Sequence, residues 1–387
     1  MPYTYTYGSG TENDPYQVWD ADDLNGLIDY DGAVGIGVYF KQMDNIDMEG
    51  ITYNLPGISS DWQANYDGNN KYIYSLNKPF MGYTWESTIS DLILIGDIVD
   101  YTDLFAFGGF ICGPYGGSHI KRCGFIGDIK WPSRGAGEWA IEVIGGFASE
   151  MSWGGGTIER CFAVGTLDFG LQNIGNTYGG FISYATDGGG GQPNISNCFA
   201  RFNIVGSGDA YDGENVGGFI GFTNNVVNIT HCYTASSINI SEENNQGCFV
   251  GDIRGTGLNI TNCYYDSDLC SLGDDSDAES RTTNQMIYPY TDKHLEGTYV
   301  DWGFEEKHIT DLTGYDFVFG VPWLHDYDAS VNSGYPILFR PEILFAVYSK
   351  IAAAWKSGPA WIKKDGTWKS VTQGWIKEGG AWKPIIP

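Results

Sequence analysis

Gly179-Gly180-Phe181-Ile182 and, further along, Ile195-Ser196-Asn197-Cys198 decide the fold, because both strings recur. The Gly-Phe step stands at Gly109-Phe110, Gly146-Phe147, Gly180-Phe181 and Gly218-Phe219 and survives as Cys248-Phe249, with phenylalanines 37, 34, 38 and 30 residues apart. The Ile-x-x-Cys string ends at Cys123, Cys161, Cys198, Cys232 and Cys263, spaced 38, 37, 34 and 31. Two motifs that keep step over five copies mark stacked supersecondary units. A stacked rod has no single buried cleft by default, which moves the functional expectation toward binding and scaffolding.

Between these motifs lie short β-branched and aromatic runs bounded by Gly, Asn and Asp, the pattern of an all-β chain. We therefore expect a right-handed parallel β-helix, a solenoid, over residues 36–344. A cap over 1–35 precedes it, in which Leu24 and Leu27 form one helical turn over the first rung. A repeat of 31–38 residues reads most economically as two rungs. That gives ~16 rungs and a rod of roughly 75 Å. It also sets successive cysteines ~10 Å apart, too far for a disulfide. Phe110, Phe147, Phe181, Phe219, Phe249 and the five cysteines then form an inward ladder of rings and reduced thiols. Cys112, Cys248 and Cys270 fall outside it and their state is open. The acidic run Asp266, Asp268, Asp274, Asp275 and Asp277 lacks the spacing of a calcium loop and reads as a solvated loop. Asp301-Trp302-Gly303-Phe304 and Gly334-Tyr335-Pro336-Ile337-Leu338 read as the closing end of the rod.

The chain of 387 residues carries a formal charge of −27. Residues 350–387 hold seven lysines against Asp365 and Glu378, so the body before them carries −32. An acidic body repels nucleic acid and anionic membranes. No apolar run is long enough to span a bilayer. The start, Met1-Pro2-Tyr3-Thr4-Tyr5-Thr6-Tyr7, has neither the basic nor the apolar part of a secretion signal, which fits a virion protein released by lysis. A chain stripped of its leader reads the same.

Residues 345–387 form a different object. Trp361, Trp368, Trp375 and Trp382 recur every seven residues, with Asp365-Gly366 and Gly379-Gly380 halfway between. Both pairs are two-residue hairpin turns. The first turn pairs Lys363 with Trp368 and the second pairs Lys377 with Trp382, which predicts a small antiparallel meander. Such a meander is marginal alone, so it reads as an attachment or oligomerisation module.

The opening Gly8-Ser9-Gly10-Thr11 with Asp14-Pro15-Tyr16-Gln17-Val18, the Gly-Gly-Phe-Ile-Gly and Ile-Thr-Asn-Cys-Tyr steps, and Gly334-Tyr335-Pro336-Ile337-Leu338 resemble GLUG-repeat β-helix proteins over roughly residues 8–340. The Trp-rich tail is similar to C-terminal modules of phage virion proteins. Together these resemblances imply a phage tail fibre, spike or adhesin. Its partners would be other virion proteins, through the tail module, and a host-surface glycan or receptor. A homo-oligomer is compatible with this; nucleic acid binding and membrane insertion are not expected. The resemblance brings no catalytic residues.

Candidate ligand-binding rings are Trp131, Trp139, Trp153 and Tyr211, which lie in looped inserts, where function concentrates. Glycan hydrolysis needs two carboxylates ~5–10 Å apart. Glu138/Glu142 and Asp209/Asp212/Glu214 are sources, and Arg134 or Arg160 would serve a lyase. Nothing singles these residues out, so a polysaccharide depolymerase is the alternative reading and a bacterial surface adhesin the second. No cysteine or histidine spacing suits a metal, and no phosphate loop or nucleophile elbow occurs; no cofactor is expected. Asn194, Asn228, Asn239 and Asn259 begin Asn-x-Ser/Thr strings, and the common repeat position of three of them favours a stacked asparagine turn over glycosylation.

Overall fold

The structure is a computed structural model that describes residues 2–99, 106–131, 143–169, 177–186, 188–206, 215–224, 226–240, 245–274, 276–289, 298–299, 301–305, 323–326 and 332–338, together with the strands at 360–364, 367–371, 374–378 and 381–385. Three parallel sheets form the walls of a β-helix. The broadest has 18 strands, a second has six and a third has five. One turn of the coil runs Val143–Gly145 on the five-stranded sheet, Ala148–Met151 on the six-stranded sheet, then Thr157–Glu159 and Phe162–Phe169 on the broad sheet. The next turn repeats this in register, pairing Val143 with Thr177, Ala148 with Ile182 and Phe162 with Phe199.

Each sequence repeat is therefore one turn, not two. Three walls and their corners consume the whole 31–38 residues. The broad sheet stacks ten layers, from Tyr16–Val18 to Glu279–Arg281, so the coil is roughly 45 Å long and not the longer rod that two turns per repeat require. The ladder also begins earlier than the repeat suggests: the Phe80 N–H donates to the Phe110 carbonyl at 2.8 Å.

Both motifs have a local physical reason. In an even strand, residues three apart face opposite sides, yet Ile120 and Cys123 are both fully buried. The residue before each cysteine resolves this. Arg122, Arg160, Asn197, His231 and Asn262 all take left-handed backbone, φ 51–54°, which bends the chain at a corner and brings the cysteine back inside. Asp91 does the same one turn earlier with φ 59°, where Leu92 replaces the cysteine. Arg122 lies over Asp91 in a two-point ion pair of 2.5 and 2.6 Å.

The core phenylalanines stack face to face. Ring centres from Phe110 to Phe249 are 4.9, 5.0, 4.9 and 4.8 Å apart. The glycines before Phe110, Phe147, Phe181 and Phe219 are required by close approach. A Cβ on Gly146 would lie 2.1 Å from the Gly180 carbonyl oxygen, and one on Gly180 2.1 Å from that of Gly218. Cys248 holds this position in the last full turn, and its side chain instead forms a disulfide with Cys270.

The five ladder cysteines are free and buried, as is Cys112. They sit one turn apart, closer than two turns per repeat implies, so separation is not what keeps them reduced. Each thiol is engaged with backbone: the Cys161 Sγ accepts the Cys123 N–H at 3.4 Å and lies 3.3 Å from the Glu159 carbonyl. Burial raises the pKa of Cys123, Cys161, Cys198 and Cys232 well above the ordinary thiol value.

The start of the coil is covered, and its far end is braced by polar contacts. At the start, Asp20 caps the helix Ala21–Asn25, and Leu24 and Leu27 are buried. At the far end two members of the acidic run, Asp266 and Asp274, do structural work, while Asp268 and Asp277 stand exposed. The Asp274 carboxylate accepts the N–H groups of Phe249 and Val250. Asp266 is buried and accepts hydroxyls from Thr283 and Tyr335. Asp275 lies outside the described residues. The segments around Trp302 and Tyr335 do not close the end. They lie along the outside of the broad sheet, where Phe162, Phe199 and Tyr233 form an outward stack. Trp302 and Trp323 pack on Tyr233, whose hydroxyl donates to the Pro336 carbonyl at 2.8 Å. An outward apolar column must be covered, and the chain covers it with its own later residues.

Among the described residues the Trp/Lys-rich tail forms two antiparallel hairpins, Ala360–Lys364 with Thr367–Val371 and Gly374–Glu378 with Ala381–Ile385. Lys363 pairs with Trp368 and Lys377 with Trp382, the register that two-residue turns dictate.

Thiol titration checks this arrangement. With a chromogenic disulfide reagent the folded protein should show no reactive thiol. Unfolding without reductant should expose six, and prior reduction should expose all eight. Rapid modification of the folded protein would contradict the buried ladder.

Candidate functional site

The third residue after each core phenylalanine builds a column on the outside of the six-stranded sheet. It runs Tyr83, Gly113, Glu150, Tyr184, Phe222 and Asp252, with Tyr83 paired to Gly113, Glu150 to Tyr184, Tyr184 to Phe222 and Phe222 to Asp252. The next residues along two of these strands, Met151 and Ala185, point into the core, so Glu150 and Tyr184 point out. Gly113 leaves a gap, which Tyr115 fills by stacking on Tyr83 at 5.1 Å. Tyr184 stacks on Phe222 at 5.1 Å and 4°, and the Arg254 guanidinium lies over Phe222 while its Nε holds Asp252 at 2.8 Å.

Glu150 stands between the two stacked pairs. The hydroxyls of Tyr115 and Tyr83 hydrogen-bond to its carboxylate. Burial raises the Glu150 pKa, and the two hydroxyls, by stabilising the anion, oppose that rise. Tyr83, Tyr115 and Tyr184 are raised in turn, first by burial and then by the nearby Glu150. In the same turn of the coil, Trp153 stands 63% exposed on left-handed backbone, φ 47°. Its carbonyl accepts the Gly116 N–H at 2.8 Å, so a large exposed ring is carried on a fixed corner.

This arrangement suits recognition better than hydrolysis. Glu150 and Asp252 are three turns apart, ~14 Å at the usual strand spacing, beyond the ~5–10 Å that glycosidase pairs use. Among the described residues no three His, Cys, Asp or Glu side chains converge as metal ligands, and no helix is long and apolar enough to cross a membrane.

Of the rings singled out in the sequence, Trp153 stands beside this column. Trp131 ends the strand Ile129–Trp131 on the broad sheet, and its side chain is outside the description. Trp139 and Tyr211 lie outside the described residues, as do Arg134, Glu138, Glu142, Asp209, Asp212 and Glu214. Arg160 occupies a corner beside Glu159 at 3.3 Å. Trp361, Trp368, Trp375 and Trp382 lie on the hairpin strands. Asn194, Asn228 and Asn259 form an amide ladder, with links of 3.0 and 2.9 Å, on strands and not in a turn. Sequence reasoning missed Tyr83, Tyr115, Glu150, Tyr184 and Phe222. Aligning the repeats on their phenylalanines exposes Tyr83, Glu150, Tyr184 and Phe222; Tyr115, two residues beyond the column position, is visible only through the gap at Gly113.

The chain matches no protein-family model and no curated protein. It is similar in structure to the crystal structure of a candidate immunoglobulin A1 protease from Bacteroides ovatus, with a TM-score of 0.58, 16% identity, and coverage of 87% of this chain and 96% of that one. A second solved structure, an IgA1 protease, gives a TM-score of 0.45 and 14% identity over 68% of this chain and 23% of the other. At these identities the first likeness establishes the fold alone, and the second adds nothing to it.

The raised pKa of Glu150 has a signed consequence. The folded chain holds this proton more tightly than the unfolded chain, whose carboxyl titrates near 4.5. The contribution is therefore full below that pH and declines as pH rises through the folded pKa. Denaturant titrations from pH 4 to 7 should show a weaker decline for Glu150→Gln than for the parent protein; equal slopes would contradict the burial of this carboxylate.

Proposed function

We propose that the protein is a non-catalytic recognition rod: an adhesin-type component of an extracellular appendage, with a phage tail fibre or spike as the specific setting. The coil presents its side to a host-surface polymer, and the Trp/Lys hairpins attach it to its particle. The observation that carries this reading is the stacked coil with an outward column of rings, hydroxyls and a carboxylate on its six-stranded sheet. The GLUG-like repeat and the virion-like tail support the setting. The Cys248–Cys270 disulfide belongs to an oxidising environment and is equally at home in a secreted bacterial surface protein, which is the second reading.

Producing the protein with and without residues 345–387, together with its neighbouring genes, tests the proposal. The full chain should sediment with assembled particles. The shortened rod should stay folded, with an unchanged β-type circular dichroism spectrum, but remain in the supernatant. A shortened rod still on particles would overturn the role of the hairpins, and a full chain never found on particles would overturn the appendage reading.

A further inference from the structure

We propose that the outer column of the six-stranded sheet, from Tyr83 to Asp252 with Trp153 beside it, binds an unbranched, uncharged glycan, with Glu150 as the fixed acceptor for its hydroxyls. The inference rests on the recognition reading above and names its site and ligand class. Three features select the ligand. The first is form. The column spans five inter-turn spacings, ~24 Å, along one wall, which suits an extended chain and not a compact ligand.

The second is surface chemistry. Tyr83 and Tyr115 close their faces against each other, as do Tyr184 and Phe222. What remains outward is ring edges, hydroxyl tips and the Glu150 carboxylate. That set offers hydrogen bonds to sugar hydroxyls with apolar contact between them, and Trp153 adds an open ring on which a sugar face can stack. The same closure leaves no open aromatic box for a quaternary ammonium.

The third is charge. The chain carries −27, and Glu150 and Asp252 both stand on the column, so a polyuronate or sulfated polymer is repelled. The cation at the end of the column, Arg254, is held by Asp252 and Phe222. An ammonium-bearing polymer would meet a carboxylate already engaged by two tyrosine hydroxyls. Hydroxyls of an uncharged sugar need only its remaining acceptor capacity.

The test is calorimetric titration of the full chain with amylose, linear β-glucan, linear mannan and linear galactan, with chitosan and polyuronate as charged arms. Glu150→Gln and Trp153→Ala probe the site, and Asn228→Ser on the broad sheet is the control. Thermal melts confirm that each variant is folded. One neutral polymer should bind. Glu150→Gln and Trp153→Ala should each weaken it at least tenfold, and Asn228→Ser should leave it unchanged. Binding by the parent chain should fall on acidification as Glu150 gains its proton, while Glu150→Gln should be flat with pH. Neutral-polymer binding that survives both substitutions would place the site elsewhere and leave the recognition reading standing. Preference for chitosan or polyuronate would overturn the ligand class. A parent chain that binds none of these polymers would overturn both this inference and glycan recognition.

Discussion

The carbonyl oxygens of Phe147, Phe181, Phe219 and Phe249 each accept two N–H groups from the turn before, and the rest of the structure depends on that arrangement. The Phe147 oxygen takes Phe110 N–H at 2.9 Å and Ile111 N–H at 3.1 Å; the Phe181 oxygen takes Phe147 and Ala148 in the same way. The geometry brings adjacent backbones so close that a Cβ at Gly109, Gly146, Gly180 or Gly218 would lie 2.1–2.3 Å from a carbonyl oxygen of the next turn. It fixes the register of every wall, because a one-residue slip would turn core residues outward. Where the coil ends, the Asp274 carboxylate takes over the role of the missing carbonyl, and Cys248 replaces glycine because no further turn crowds it.

The same register carries the candidate site. Once the phenylalanines stack, the residues three places on must form a column on the outer wall. Evolution of that column therefore needs no change to the core. Tyr, Glu and Phe at these positions meet in space although they are 30–38 residues apart in sequence. The wall is rigid because the thiol and phenyl ladders behind it are closely packed. A preorganised surface of this kind loses little conformational freedom when a polymer lies along it.

Much of the fold was legible in the chain, for a reason that also limited it. Gly180-Phe181 and Ile195-x-x-Cys198 recur because stacked turns repeat one local environment, so the coil could be read from their period. The number of turns per repeat could not, because short strands on three walls and long strands on one fill the same length of chain. Two of the left-handed corners were hidden by residue choice: Arg122 and Arg160 occupy a conformation that Asn, Asp, His or Gly usually signals. Trp302 and Tyr335 looked terminal because they follow the last repeat, but the outward stack of Phe162, Phe199 and Tyr233 draws that segment onto the side. Of the candidate site, only Trp153 stood out as a sequence feature; Glu150 was one acidic residue among 48.

The most direct measurement of the central claim compares the chemical-denaturation midpoints of Gly180→Ala and Gly273→Ala. A Cβ at Gly180 would meet the Gly218 carbonyl oxygen at 2.1 Å, whereas one at Gly273 meets nothing within 4 Å. The account predicts a loss of more than about 2 kcal/mol for Gly180→Ala and near-parental stability for Gly273→Ala. A Gly180→Ala protein as stable as its parent would contradict the close stacking of successive turns on which everything else rests.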